Sequence, residues 1–187
     1  MMYKKSYFKS LTTQCSMSAI LLLLNACSLE VSQTTQTATI QKYHRQTIQI
    51  PNNKNIVLVG GCFDILHFGH IEFLKNAKAT GNYLVVALEP DESISNYKHR
   101  TPTHNQNERA DILAALRFVD HVVLLPVLKG FVDYNQLVEN IKPQVIAITA
   151  DDPQIANKQK QANSVGAIVK VVAPRLGNFS STKIKEK

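Results

Sequence analysis

Two histidines that stand three residues apart, His67 and His70, are the residues of this chain best suited to chemistry. They end the stretch Gly-Gly-Cys-Phe-Asp-Ile-Leu-His-Phe-Gly-His, which follows an apolar run typical of a buried strand and precedes a segment typical of a helix. Residues three apart share a helix face, so both imidazoles can point into one pocket. Imidazoles beside the positive end of a helix can donate hydrogen bonds to phosphate oxygens. The stretch therefore predicts a phosphate-binding turn at the carboxyl end of a strand, where open α/β sheets bind ligands.

The elements that must position this turn are five strands alternating with helices. Apolar runs predict strands at residues 56–60, 83–88, 121–125, 145–149 and 168–172. Helical patterns are found at about 69–79, 105–118, 134–141 and 153–163, with Gly81 and Gly166 predicted to end the first and last of these helices. Continuous apolar strands favour a doubly covered parallel sheet. The predicted fold class is therefore α/β, a Rossmann-like parallel five-stranded sheet with helices on both faces.

The amino-terminal third of the chain looks different from this domain. Residues 1–28 combine a basic start, a short apolar run and the tetrapeptide Leu-Asn-Ala-Cys, which is the layout of a signal peptide or lipoprotein signal with Cys27 as the lipidated residue. A mis-assigned start codon or a disordered basic tail explains the segment equally well. Residues 29–53 predict a polar linker with a short strand at 47–50, and residues 54–187 predict the main domain.

Composition excludes several other classes of function. The net charge of +7 is diffuse, and no basic stripe with interleaved aromatic residues predicts a nucleic-acid partner. The three cysteines, Cys15, Cys27 and Cys62, have neither a paired metal-binding spacing nor a disulfide framework. The sequence also contains no G-x-G-x-x-G fingerprint and no P-loop lysine.

The histidine turn resembles the signature of the cytidylyltransferase-like nucleotidyltransferase superfamily, which shares its His-x-Gly-His motif with class I aminoacyl-tRNA synthetases. The matching residues are Gly61, Phe63, Asp64, His67, Gly69 and His70. Cys62 resembles the heptose-phosphate and ethanolamine-phosphate branches, whereas the glycerol-3-phosphate branch usually has threonine at this position.

Three later stretches extend the resemblance along the domain. Asp91, Glu92 and Lys98 match a lysine-bearing loop over the triphosphate, although a solvated charged loop is the alternative. A second signature, matched by Glu108, Arg109 and Asp120, implies that Arg109 reaches the phosphates, although it could instead be a surface arginine. The third stretch resembles the family's carboxyl-terminal phosphate-binding segment through Arg175, Ser180, Ser181, Thr182, Lys183 and Ile184.

The resemblance implies in-line transfer of CMP or AMP from CTP or ATP to a small phosphorylated acceptor such as glycerol 3-phosphate, with release of pyrophosphate. Mg²⁺ is expected with the nucleoside triphosphate, and no protein residue is predicted as a metal ligand. The implied catalytic residues are His67, His70, Lys98 and Arg109. The implied nucleotide-binding residues are Gly61, Cys62, Phe63, Asp64, His67, Gly69, His70, Arg175, Ser180, Ser181 and Thr182.

Two alternatives remain at this point. The first is an adenylyltransferase acting on FMN or heptose 1-phosphate, because residues 176–178 depart from the family pattern in a loop that contacts the acceptor in relatives. The second is a non-catalytic nucleotide-binding module anchored to a membrane through Cys27. The chemistry itself favours the cytoplasm, where nucleotides are found. The resemblance also allows a homodimer, although no residue locates an interface.

Overall fold

The computed structural model describes residues 37–44 and 48–174, apart from the side chain of Lys98. The predictions for residues 1–28 lie outside the described residues, and so do those for Arg175, Ser180, Ser181 and Thr182.

Parallel strands in the order β1-β4-β3-β2-β5-β6 form one sheet of six strands in the part of the chain that is described. The strands are β1 (Thr39–Lys42), β2 (Ile56–Gly61), β3 (Tyr83–Leu88), β4 (His121–Leu124), β5 (Val145–Thr149) and β6 (Ile168–Ala173). The helices between them are α1 (Phe68–Lys78), α2 (Asp91–Lys98), α3 (Gln106–Ala114), α4 (Gly130–Ile141) and α5 (Ile155–Val165).

The strand order contains a topological switch point. From β2 the chain runs outward through β3 to β4, and it then returns to the other side of β2 with β5 and β6. The crevice between β2 and β5 opens at the carboxyl ends of these strands, where open α/β sheets bind ligands. The predicted Rossmann-like fold is therefore confirmed, and the turn with the two histidines follows directly from β2.

The prediction of five strands is wrong by one. The additional strand β1 lies within the predicted linker and pairs in parallel with β4, so that Thr39 is opposite His121. Its sequence, Thr-Ile-Gln-Lys, is short and polar because an edge strand needs little apolar surface. Residues 48–50, which were predicted to be part of a strand, are not in one.

Two further details differ from the sequence-based expectations. The predicted polar loop at 89–104 contains helix α2, which begins after Pro90 with Asp91 and Glu92 in its first turn. Gly81 is not the cap of α1, because the helix ends at Lys78 and its C-cap, Ala79, has right-handed backbone. A Cβ at Gly81 would lie 2.6 Å from the Asn55 carbonyl oxygen, so close packing is what requires glycine there.

The two faces of the sheet carry separate hydrophobic layers. Alternate residues of β2 point to opposite sides, so that Val57 and Val59 pack under α1 and α3, whereas Ile56 and Leu58 pack under α4 and α5. Helix α5 joins its layer mainly through Ala162. None of the described helices is long and apolar enough to cross a membrane.

A buried histidine at the amino-terminal end of the sheet makes the fold sensitive to acid. His121, the first residue of β4, is fully buried, and its Nδ1 lies 3.4 Å from the Tyr83 hydroxyl. Its Nε2 has no hydrogen-bond partner among the residues that the structure describes. Burial therefore lowers the pKa of His121 below its ordinary value of 6.5.

We expect the free energy of unfolding to decrease as the pH falls below 6.5 and on through the folded-state pKa of His121, because the unfolded chain then binds a proton that the folded state excludes. Between pH 7.5 and 5.5 this contribution is at most about 1.4 kcal/mol. The variant His121→Leu should lose this part of the pH dependence in urea unfolding curves. The exposed His44→Gln is the control, and an unchanged pH dependence in His121→Leu would contradict the assignment.

Candidate active site

The turn after β2 is shaped by a glycine and a residue with left-handed backbone. Phe63 has a φ of 45°, which a side chain with a Cβ adopts only at a cost. Its buried ring lies against the backbone of Gly61, where an added Cβ would be 3.0 Å from the ring. The absence of a side chain at Gly61 therefore lets the Phe63 ring fold back over the end of β2. This folding brings the following residues across the carboxyl edge of the sheet.

The two histidines lie side by side at the start of α1. Their rings are stacked with centroids 3.8 Å apart, and the His70 ring also meets Phe63 edge-on at 5.2 Å. His67 is the N-cap of α1: its Nδ1 accepts a hydrogen bond from the His70 amide at 3.4 Å. A neutral imidazole that accepts at Nδ1 carries its proton on Nε2, so His67 has the donor that a phosphate oxygen needs. The two imidazoles therefore lie side by side, and their contact with phosphate stays a prediction.

The start of α1 has the electrostatic character of an anion site. Its first turn contains no acidic residue, so no carboxylate offsets the positive end of the helix dipole. The acidic residues on either side along the chain are both paired: Asp64 is buried and its carboxylate is used within the protein, and Glu72 forms an ion pair with Lys75 at 3.0 Å. A negatively charged ligand placed here would meet the dipole and the two imidazoles together.

Asp64 holds the histidine turn to the loop that follows α2. Its carboxylate accepts hydrogen bonds from the Arg100 guanidinium at 2.5 Å and from the Thr103 amide at 2.7 Å. Burial by itself would raise the pKa of Asp64, but the Thr103 and His104 amides and the Arg100 guanidinium together hold it below its ordinary value of 3.8. The carboxylate is therefore ionised at neutral pH, and its contacts favour a role in ordering the turn.

Arg109 was expected to reach the phosphates, but the structure places it inside the protein. Its side chain is fully buried, and its guanidinium donates to the backbone carbonyls of Cys62, Glu89 and His104. It also forms an ion pair with Asp91 at 2.7 Å. These partners belong to three different connections at the carboxyl edge of the sheet. The contacts therefore favour a positioning role for Arg109 over direct contact with the phosphates.

A cavity of about 580 Å³ opens at the same edge, on the face covered by α4 and α5. It begins at Gly60, Gly61 and Cys62, so it shares the end of β2 with the histidine turn, although neither histidine lines it. One wall is apolar and aromatic and is formed by Phe131, Tyr134, Leu137 and Val138 of α4. A second wall is polar and contains Gln154, Asn157, Lys158 and Gln161. The volume is in the range of ordinary small-molecule sites.

Glu89 connects the apolar wall to the end of β3. Its carboxylate accepts hydrogen bonds from the Tyr134 hydroxyl at 2.7 Å and from the Ser93 hydroxyl at 2.9 Å. Burial and the charge of Glu89 raise the pKa of Tyr134 above its ordinary value of 10.0, so the phenol stays protonated and keeps donating. This network fixes the ring of Tyr134 in the cavity wall. The network was not predicted from the sequence, because Tyr134 and Glu89 are 45 residues apart.

The other predicted site residues are placed as follows. Lys98 is the last residue of α2, but its side chain is not described, so its proposed contact with the triphosphate stays a prediction. Gly69 is the second residue of α1, and Cys62 is partly exposed in the cavity wall. Within residues 37–44 and 48–174, no three His, Cys, Asp or Glu side chains form a group that could hold a metal ion. Mg²⁺ stays an expectation that comes with the nucleotide.

Comparison with known proteins agrees with this geometry. Residues 58–187 match the family model described as cytidylyltransferase-like. The FAD synthase of Pyrococcus abyssi is 39% identical over 122 residues, which cover 65% of this chain and 80% of that protein. The FAD synthase of Thermococcus kodakarensis is 48% identical over 95 residues, or 51% of this chain and 62% of that protein. The bifunctional protein HldE of Campylobacter jejuni is 36% identical over 137 residues, but the match covers only 28% of that longer protein.

Solved structures have the same architecture. The lipopolysaccharide core biosynthesis protein from Thermoplasma volcanium is 31% identical, with a TM-score of 0.54, over 66% of this chain and 98% of that protein. The pantoate–beta-alanine ligase from Francisella tularensis is 18% identical with a TM-score of 0.52, which supports the fold alone. Because the family model matches more than half of the chain, and the P. abyssi relative is matched over most of its length, the chain belongs to the cytidylyltransferase-like family and is a nucleotidyltransferase.

Proposed function

We propose that this nucleotidyltransferase transfers AMP from ATP to FMN, forming FAD and releasing pyrophosphate. The observation that carries the proposal is the cavity beside the histidine turn, which has one apolar, aromatic wall and one polar wall. Two relatives named FAD synthase support the choice of acceptor.

The apolar wall is what favours a flavin over a sugar phosphate. A flat aromatic ring system loses little when it is buried against Phe131, Leu137 and Val138, because it has no polar groups on its faces. Heptose 1-phosphate and glycerol 3-phosphate carry hydroxyls in every direction, and burying these against apolar side chains without hydrogen bonds is costly. CTP and glycerol 3-phosphate, the pair expected first from the sequence, are therefore the weaker candidates. Heptose 1-phosphate is kept as the second candidate, because Cys62 resembles that branch.

The reaction needs little from the protein beyond position and charge. An ionised oxygen of the FMN phosphate attacks the α-phosphorus of ATP in line, and the bond from the α-phosphorus to its bridging oxygen breaks. The electron pair of that bond leaves with pyrophosphate. No general base is required, because the attacking oxygen is already ionised. His67 and His70 would donate to phosphate oxygens as charge builds on them, with the start of α1 adding its dipole.

The test is pyrophosphate release from ATP or CTP with FMN, heptose 1-phosphate or glycerol 3-phosphate, with FAD measured by chromatography. We expect release with ATP and FMN in equal amounts with FAD. Riboflavin is the matched control: it lacks the attacking phosphate, so it should give no pyrophosphate. Release with CTP and glycerol 3-phosphate alone would overturn the proposal. Nucleotide binding without release from any pair would favour the non-catalytic module.

A further inference from the structure

Helix α5 presents a polar stripe to a cavity whose other surfaces are mainly apolar. Asn157, Lys158 and Gln161 follow the N-cap residue Gln154 at three, four and seven positions, which places all four residues on one side of the helix. The next positions of this face, Ala162 and Val165, pack in the hydrophobic layer. A helix face that packs against a sheet is normally apolar throughout. The polar residues on the part of this face that lines the cavity therefore indicate contact with a polar group of a ligand.

Three of the four polar residues are already held by neighbours. The Asn157 amide donates to Oε1 of Gln154 at 2.8 Å, and Nζ of Lys158 pairs with Asp152 at 2.6 Å. These contacts are near the start of α5. They keep this part of the polar wall in place without a ligand.

Gln161 is different, because it is the most buried of the four residues and its amide has no partner in the described part of the chain. The residue is only 7% exposed, yet its side-chain amide makes no hydrogen bond with any residue in the described part of the chain. An amide that lines a cavity and has no partner within the protein is available to hydrogen-bond a ligand there. Tyr134, in the apolar wall, donates its hydroxyl proton to Glu89 and makes no hydrogen bond with Gln161.

We propose that Gln161 is a specificity-determining residue that hydrogen-bonds the polar edge of the flavin ring; this rests on the proposed function. A side-chain amide has one acceptor and one donor group in a plane. It can therefore pair at two points with a ring edge that carries an N–H next to a C=O, as the pyrimidine portion of isoalloxazine does. The ring would then lie with its faces between the aromatic wall and the sheet, and with this edge toward α5.

The test replaces Gln161 by leucine, which has a similar size but cannot form hydrogen bonds. Flavin binding is measured with riboflavin by quenching of flavin fluorescence in the absence of nucleotide, and KM is measured for FMN and for ATP. We expect the dissociation constant of riboflavin and the KM for FMN to increase about tenfold or more, because the ring edge loses its partner. The KM for ATP should change less than about twofold. Gln159→Leu, an exposed glutamine on the same helix, is the matched control and should behave like the wild type.

The readouts separate this proposal from the proposed function. If Gln161→Leu binds riboflavin more weakly but the wild type forms no FAD, the role of Gln161 is supported and the proposed function is refuted. If the wild type and Gln161→Leu both form FAD with the same KM for FMN, the role of Gln161 is refuted and the proposed function is supported. A rise in the KM for ATP alone would show that Gln161 contacts the nucleotide base, which overturns its assignment to the flavin. Absence of flavin binding by the wild type overturns it too. Thermal unfolding of Gln161→Leu checks that the variant is folded.

Discussion

Replacing His70 by alanine is expected to lower kcat by about 10²–10³-fold while leaving the fold intact. The imidazole lies at the start of α1, stacked on His67, where a helix dipole without an opposing carboxylate attracts phosphate. A donor that meets charge building on the phosphates stabilises the transition state more than bound ATP, so its loss should reduce kcat more than it raises KM. Alanine is the best helix former, and the His70 amide remains to be capped by His67.

The neighbouring histidine needs a different substitution, because it also caps the helix. His67→Asn keeps an N-cap side chain of the best class and removes the imidazole. We expect it to lower kcat by a similar factor with little change in the melting temperature. If the pair acts as a unit, the double variant should be little slower than either single variant. Initial rates of pyrophosphate release and thermal unfolding are the measurements, with His44→Gln as the exposed-histidine control. Near-normal turnover by His70→Ala would refute the role of the pair.

The sheet could be predicted from the sequence because its central strands are continuous apolar runs. The predicted bounds of β3 and β5, at 83–88 and 145–149, agree with the observed ones. The elements that were missed carry weaker signals: β1 is a polar edge strand, and α2 is a short helix in a charged segment. An edge strand is stabilised by backbone pairing with one neighbour, here β4, and this neighbour is not visible in a local pattern.

The candidate site could be located from the sequence, but the partners of its charged side chains could not be predicted. A histidine pair at a helix start has a local geometry, so its placement follows from spacing. By contrast, Asp64 meets Arg100 across 36 residues, and the Arg109 side chain reaches Cys62 across 47. Such pairs depend on how loops close at the edge of the sheet, and a motif cannot distinguish an arginine that binds a ligand from one that binds the chain. The stripe ending at Gln161 had a detectable signal, since polar residues at helical spacing precede Ala162.

Removal of the Arg109 side chain is expected to cause a large loss of stability. The guanidinium is fully buried and donates to the carbonyls of Cys62, Glu89 and His104, and it pairs with Asp91. In Arg109→Ala the three carbonyls lose their donor, and each buried acceptor left unsatisfied costs about 1–3 kcal/mol, whereas the pair with the 36% exposed Asp91 adds less. A domain is typically stable by only 5–15 kcal/mol in total. The urea midpoint should therefore decrease sharply.

The variant Arg109→Lys tests the same idea in a protein that is more certain to fold. Lysine keeps the charge, but its single ammonium group cannot reproduce a planar fork that contacts three carbonyls and a carboxylate. It should be less stable than the wild type and more stable than Arg109→Ala. Arg117→Ala, an exposed arginine just beyond α3, is the control and should change the free energy of unfolding by less than about 0.5 kcal/mol.

The two possible roles of Arg109 predict different effects of Arg109→Lys on stability and on the KM for ATP. If the side chain positions the edge of the sheet, Arg109→Lys has a lower free energy of unfolding than the wild type. Its loss of kcat should then become smaller on cooling, because a larger fraction of the protein is folded with the Cys62 turn in place. If it contacts the triphosphate instead, the urea midpoint should hardly move, and the KM for ATP should rise at every temperature. Its four contacts within the protein predict the first result. An unchanged urea midpoint with a raised KM for ATP would show that Arg109 contacts the phosphates.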